Sequence, residues 1–433
     1  MTAAAPFPTP GRSVVRSVEQ HLAALLAQAR PLAPAALTPW EALGLVLGED
    51  VVADLDLPPF DNSAMDGYAV RLADVAGAAE GSPVVLQVRA DVAAGSAAPE
   101  GGLVPGCAAR IMTGAPVPEG TQAVVPVEWT DGGTDRVEVR QEPRPAANIR
   151  RRGEDVARGA TVLSAGTVVT PAVVGLLAGI GRGEVLVHRR PHVVVVSTGS
   201  ELVDPGEEAG PAQIHDANRP MLAAAASATG ARVTLVPIVR DEPGALVTAI
   251  QGHLDGADLI LTSAGVSEGA YDVVKADLLA LAGDDGHVEF SAVAMQPGKP
   301  QGHGWLGPRR VPVITLPGNP VSAYVSFQVF VRPVLRRLLG HPGLLRRTVR
   351  AVLTADVRSP AGRRQYLRAR LEPADPTAAA GPAHPRVVPV GGPGSHLLGS
   401  LARSNALVVI AEDTVAVMAG EVVEVMVLEE ENA

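Results

Sequence analysis

Four short stretches combine hydroxyls, carboxylates and glycine as an anion site requires: Ser197-Thr198-Gly199-Ser200-Glu201, Arg240-Asp241, Thr262-Ser263-Ala264-Gly265-Val266-Ser267 and Pro317-Gly318-Asn319-Pro320. Each follows an apolar run that reads as a buried strand. A glycine-containing turn ahead of a helix presents backbone N–H groups, and the helix dipole adds partial positive charge, so a phosphate-bearing ligand fits there. In an open parallel sheet such turns gather in the crevice at the carboxyl ends of the strands. One alone is a tight connection; three with hydroxyls and carboxylates point to a ligand. Glu201, Asp216, Asp241 and Asp272 fall at the same edge. Carboxylates beside a phosphate site imply Mg2+, which is held by one or two of them together with phosphate oxygens and water. Asn218 stands just before a helical stretch and is equally a candidate N-cap.

Lysine is rare: of 36 basic residues only Lys275 and Lys299 are lysine, both near glycine-rich turns. Either a compact ammonium is needed at those places or the bias towards arginine left two by chance. Gly298-Lys299-Pro300 is not a P-loop, because no glycine stands five residues before Gly298 and proline follows the lysine. Met295 to Pro300 reads instead as a rigid, proline-bracketed turn that holds one ammonium near the anion loops. Gly265-Val266-Ser267-Glu268-Gly269 matches G-x-S-x-G between a strand and a helix, the setting of a hydrolase nucleophile elbow. No HGGG-like segment precedes it, and the lead-in is long. Asp61-Asn62-Ser63-Ala64-Met65-Asp66-Gly67-Tyr68 and Ala109 to Pro116, with Thr113 and Gly114, are dense in small polar groups, which turn chemistry alone also explains. The ten histidines show no metal-ligand spacing, and HExxH is absent.

These residues need a frame to position them. Ser17 with Gln20 forms a capping box ahead of an apolar helix. Thr38, Pro39 and Glu41 predict a second helix ending near Gly48. Short β-rich runs separated by glycine and proline fill residues 56–147 and predict an inserted β domain. Thr170 and Pro171 open a further helix. The segments 13–55 and 148–184 are expected to form one discontinuous domain around the insertion. From 185 to 340, HVVVVSTG, RVTLVPIVRD, ADLILTSAG and VPVITLPGN alternate with helical stretches, which predicts a parallel α/β domain with strands buried on both faces. After 341 short strands return and predict a small β barrel or sandwich, interrupted by the surface loop EPADPTAAAGPAHP.

Length and composition agree with this. The 433 residues suggest two to four domains. The net charge of -10 argues against nucleic acid and anionic membranes. A single cysteine, Cys107, excludes an intrachain disulfide, thiolate zinc sites and iron–sulfur clusters. No apolar run is long enough for a membrane helix, and MTAAAPFPTP has no signal-peptide pattern, so a disordered tail and a cytoplasmic protein are expected.

PPFDNSAMDGYAV, ARIMTGAPVP, NIRRRGED, STGSEL, IHDANR, SAGVSEGAYD, MQPGKP, LPGNPVSA, GRRQYLRARL and GSHLLGSLARSNAL follow one another in the order of a known family. The chain resembles the molybdopterin molybdenumtransferases: the bacterial MoeA proteins and the insertase domains of gephyrin and the plant Cnx proteins. The resemblance covers nearly the whole chain. It implies an elongated, multidomain α/β plus β architecture, with a MogA-like α/β centre, an inserted β domain and a C-terminal barrel. It implies a homodimer that transfers molybdate into adenylylated molybdopterin and releases AMP, with a divalent cation. By the same resemblance, Asp61, Asn62 and Thr113, with Gly114, line the cleft from the partner subunit. Glu201, Asp241 and Asp272 serve the metal and cleavage of the phosphoanhydride. Ser267, Lys299, Pro317, Gly318, Asn319 and Ser322 hold pterin and phosphate, together with Asp216, Asn218, Ser263, Gly265, Gln296 and Pro320. Arg368 and Ser395 help bind molybdate. Gln296 stands where many relatives have a second lysine, and Ala264 replaces a glycine. The preceding adenylylation is expected from a separate molybdopterin adenylyltransferase, and the product passes to cofactor recipient proteins.

Overall fold

The computed structural model describes residues 15–263, 273–373 and 384–428. The N-terminal tail and the loop expected at 372–385 fall largely outside this range. The chain forms two compact units: residues 15–35, 44–46 and 187–428, and residues 36–43 and 47–186.

The first unit is built on a seven-stranded sheet. In spatial order its strands are Val15–Arg16, His287–Val293, Pro300–Leu306, Val311–Leu316, Leu259–Ser263, His192–Ser197 and Arg232–Leu235. The last four are mutually parallel. Leu259–Ser263 is buried throughout, and all but one residue of His192–Ser197 and of Val311–Leu316 are too. That explains their unbroken apolar sequence, since helices cover both faces. The sheet differs from the expected all-parallel one: His287–Val293 and Pro300–Leu306 run antiparallel as a hairpin. Pro300–Leu306 is PQGHGWL, whose glycines hide a strand. They serve close approach, because a Cβ at Gly304 would lie 1.8 Å from the His287 carbonyl oxygen. The expected rigid turn at Met295–Pro300 is the connection of this hairpin.

The capping box forms: Gln20 N–H donates to Ser17 Oγ, and Gln20 Oε1 accepts from Ser17 N–H. The helix it starts, Val18–Gln28, buries Val18, His21 and Leu25 against Phe330 and its neighbours. The long apolar helix after the sheet is interrupted. Pro320–Ser326 and Arg332–Leu338 are α-helical, but Phe327–Val331 widens into a π turn just before Pro333. Proline has no N–H for the α-helical ladder, so the preceding turn adjusts.

The C-terminal part of this unit is a closed barrel. Arg364–Glu372, Arg386–Pro389, Thr348–Leu353, Val422–Val427 and Ala406–Ile410 pair in a ring, and the last pairs back with the first. Met295–Gln296 adds to the barrel beside Arg364–Gln365.

In the second unit a five-stranded sheet runs Ala123–Pro126, Gly67–Val70, Cys107–Ile111, Val84–Val92 and Arg136–Val139. Tyr68, Val70, Val125 and Val137 are fully buried in it. Two short ladders lie in the same unit: Val51–Val52 pairs with Thr161–Leu163, and Asn62–Ser63 with Ile149–Arg150. Thr170 caps the helix Pro171–Gly179 as its sequence indicates. The helix expected from Thr38 does not form. Its start signals operate, with Thr38 Oγ1 donating to Glu41 Oε2 at 2.8 Å and Ala42 N–H to the Thr38 carbonyl. Only a turn results, because Gly44 takes a left-handed φ of +78° within the next few residues.

Candidate functional site

In the first unit the expected loops meet at the carboxyl edge of the parallel strands. Thr198 bridges to Val239, and Gly199 N–H donates to the Val239 carbonyl. Ser200 and Asp241 are tied reciprocally: Ser200 N–H donates to Asp241 Oδ2, and Asp241 N–H to Ser200 Oγ, each at 3.1 Å. Glu201 lies next to this pair. Gly199 permits the tight turn, since a Cβ there would lie 2.7 Å from the Glu201 carboxylate. Glu201 and Asp241 are exposed, so two carboxylates face solvent from adjoining loops.

Behind them sits a buried polar node. Ser197 Oγ lies 2.8 Å from Ser263 Oγ and donates to Asp216 Oδ1 at 3.1 Å. Asp216 is 1% exposed, and Oδ1 also accepts from the N–H groups of Asn218 and Arg219. Asp216, not Asn218, therefore satisfies the start of the helix Asn218–Ala228. Arg219 stands 3.5 Å from Asp216 Oδ2, donates to the Val236 carbonyl and pairs with Asp204. Asn218 is turned elsewhere: its Nδ2 donates to the Gly318 carbonyl at 2.6 Å. This joins IHDANR to the Pro317-Gly318-Asn319-Pro320 turn, where Gly318 and Asn319 are exposed and Ser322 is buried one turn inside the helix.

The barrel reaches the same turn. Val321 N–H donates to the Ser395 carbonyl. Arg368, 2% exposed, spends its guanidinium on the carbonyls of Gly392 and Gly394, so it shapes the loop that carries Ser395. Burial lowers its pKa. Lys299 and Gln296 lie in the hairpin connection. The Lys299 carbonyl accepts from Val293 N–H, and Gln301 braces the turn through Gly298 O and Ser326 Oγ. Gly265, Ser267 and Asp272, with the rest of the G-x-S-x-G stretch, lie outside the described residues.

In the second unit Asp61, Asn62, Thr113 and Gly114 also come together. The Val117 N–H donates to the Asp61 carbonyl, and Gly114 N–H to the Ser63 carbonyl. Asp61 accepts from Arg152 N–H at 2.8 Å and from Arg151 at 2.6 Å. These hold its pKa below the ordinary value, the backbone bond foremost. Asn62 is 6% exposed and donates to the Phe60 carbonyl. Thr113 donates both its N–H and its hydroxyl to Asp66 Oδ1, each at 2.7 Å. These bonds, led by the backbone one, keep the Asp66 pKa low. Asp66 and the arginines around Asp61 were not singled out from sequence. Their motifs were, but which member of a motif binds which is set by the folded loops.

Two exposed carboxylates and several turns gather at the strand ends, beside a barrel loop, on a multidomain α/β plus β protein. Residues 16–181 match the MoeA N-terminal region (domain I and II), 194–337 a probable molybdopterin binding domain and 350–428 the MoeA C-terminal region (domain IV). The chain is 49% identical to molybdopterin molybdenumtransferase 2 of Mycobacterium tuberculosis, over 94% of this chain and 98% of that protein. It is 40% identical to molybdopterin molybdenumtransferase 1 of the same organism, over 96% and 99%. A solved molybdopterin biosynthesis MoeA protein from Pyrococcus horikoshii superposes with a TM-score of 0.81 at 31% identity, over 96% of this chain and all of that one. The chain belongs to the molybdopterin molybdenumtransferase (MoeA) family, transferases of molybdenum cofactor biosynthesis.

Proposed function

We propose that this protein inserts molybdate into adenylylated molybdopterin, yielding molybdenum cofactor and AMP. The observation that carries this reading is a run of hydrogen bonds from Ser263 through Ser197, Asp216 and Asn218 to the Gly318 carbonyl, with Val321 N–H, just after that turn, donating to the Ser395 carbonyl. It joins turns from two parts of the fold, and that arrangement supports an anion-binding edge. Gly318 and Asn319 would offer a phosphate the start of a helix, and Lys299 would supply an ammonium for a charge-assisted hydrogen bond. Ser395, on the loop that Arg368 holds, supplies the molybdate side.

Mg2+ suits the carboxylates present. Glu201 and Asp241 are hard oxygen donors, exposed and on adjoining loops. No group of three His, Cys, Asp or Glu gathers as a metal site among the described residues. A cation held by one or two carboxylates, with substrate phosphate and water completing the shell, matches that donor set. One or two of Glu201, Asp241 and Asp272 would hold it, and when bound it would withdraw charge from the phosphoanhydride.

The insertion at 56–147 with the flanking 47–55 and 148–184, the α/β domain 185–340 and the barrel 341–433 are proposed as the working domains of a cytoplasmic homodimer; the N-terminal strand and helix, expected with 148–184 in one domain, pack instead with the α/β part. The partner subunit would bring the Asp61 and Thr113 loops to the crevice. An adenylyltransferase would supply substrate, and recipient enzymes would take product. AMP release from adenylylated molybdopterin with Mg2+ tests the reading. Molybdate-dependent release with metal in the pterin product supports it; tight pterin binding without release refutes it.

A further inference from the structure

Thr113 is held in an unusual way for an exposed hydroxyl. Both its N–H and its Oγ1–H point to one atom, Asp66 Oδ1, at 2.7 Å. A hydroxyl has one proton and two lone pairs. With the proton committed to a carboxylate, Oγ1 can offer a ligand only its lone pairs. A phosphate, molybdate or other acceptor gains nothing from it. A ligand N–H does. Two features of the Phe60–Asp66 loop, to which Thr113 is tied, suit a flat ring: Phe60 is 44% exposed and Met65 38%. An aromatic face and a thioether are apolar, polarisable surfaces for a heterocycle.

We infer that Asp66 is a positioning residue that makes Thr113 an obligate acceptor for an N–H-bearing edge of a flat heterocycle. The Asp61–Asp66 and Thr113 loops thus read the ring part of the substrate rather than its anionic part. This rests on the proposed function. Both the pterin and the adenine of adenylylated molybdopterin have the required chemistry.

The test is steady-state AMP release with Asp66→Ala, Thr113→Val, the double variant and Asp66→Asn, which keeps an acceptor oxygen. Thermal melting of each variant confirms folding. Loss of one hydrogen bond to the ring predicts a KM raised about five- to tenfold by either single change, with a far smaller effect on kcat. The double variant should be no worse than Thr113→Val, and Asp66→Asn should stay near the parent. Weaker binding of AMP alone to Thr113→Val by calorimetry would assign the edge to adenine. Weaker binding of molybdopterin alone would assign it to the pterin. An additive double variant, or Asp66→Ala with unchanged KM while Thr113→Val raises it, overturns the inference alone. Unchanged KM in Thr113→Val overturns it together with the placement of Thr113 at the substrate.

Discussion

His21 is a polar ring in an apolar place. It is fully buried, and neither Nδ1 nor Nε2 has a hydrogen-bond partner. His303 and Phe330 stand edge-on to it, with ring centroids 5.0 and 4.7 Å away. Burial first, then His303 and Arg16, push its pKa down from 6.5 to about 3. Nearby Glu289 pairs with Arg16 and does not hydrogen-bond His21. The folded state therefore holds His21 neutral, while the unfolded chain takes up a proton below its ordinary value. Stability from this site is complete above that value and falls as pH drops towards 3. At pH 4.5 the unfolded ring is about two units below its pKa, so the loss is ~3 kcal/mol. His303, also lowered by burial, adds a loss of the same sign. His21→Leu keeps the volume and removes both unpartnered nitrogens, so its stability at pH 7 should stay within ~1.5 kcal/mol of the parent. Urea unfolding followed by tryptophan fluorescence at pH 7 and 4.5 measures the rest. The variant should lose ~3 kcal/mol less than the parent between the two, because titrations of groups that do not touch His21 cancel in the comparison, while His303, in contact with it, changes the difference only by its own coupling. Equal losses would refute a buried neutral His21.

Gly67→Ala should destabilise the inserted sheet by more than ~2 kcal/mol, since its Cβ would lie 2.0 Å from the Val125 carbonyl oxygen on the paired strand; a melting curve reads this. Arg368→Lys should cost ~2–3 kcal/mol and speed hydrogen exchange across 391–395, because an ammonium cannot replace the fork that holds the Gly392 and Gly394 carbonyls. Arg364, paired with Glu19 and Glu412, is a quarter exposed, so Arg364→Met should cost ~1 kcal/mol in low salt and less in 1 M salt, read by urea titration.

Much of this molecule is local in origin. The Ser17–Gln20 box, the Thr170–Pro171 start and the buried strands were legible because each depends on neighbours a few residues apart, or on an apolar run long enough to be covered on both faces. The turns at the strand ends were legible too, because glycine and short polar side chains directly after a buried apolar run mark a tight connection. Tertiary structure decided what no local pattern contains. Gly44 stopped the helix that Thr38 and Glu41 began. Pro300–Leu306 became a strand through close approach to His287 and Phe290. Asp216 took the capping role and released Asn218 to bind Gly318, and Arg368 became a buried brace for its loop. For the strand Pro300–Leu306, the Asn218–Gly318 bond and the Arg368 brace the physical reason is the same, whereas Gly44 and the Asp216 cap act within a few residues. Composition determines which groups a chain must satisfy, but a buried donor or charge finds its partner across long sequence separation, and only the packed fold sets that pairing.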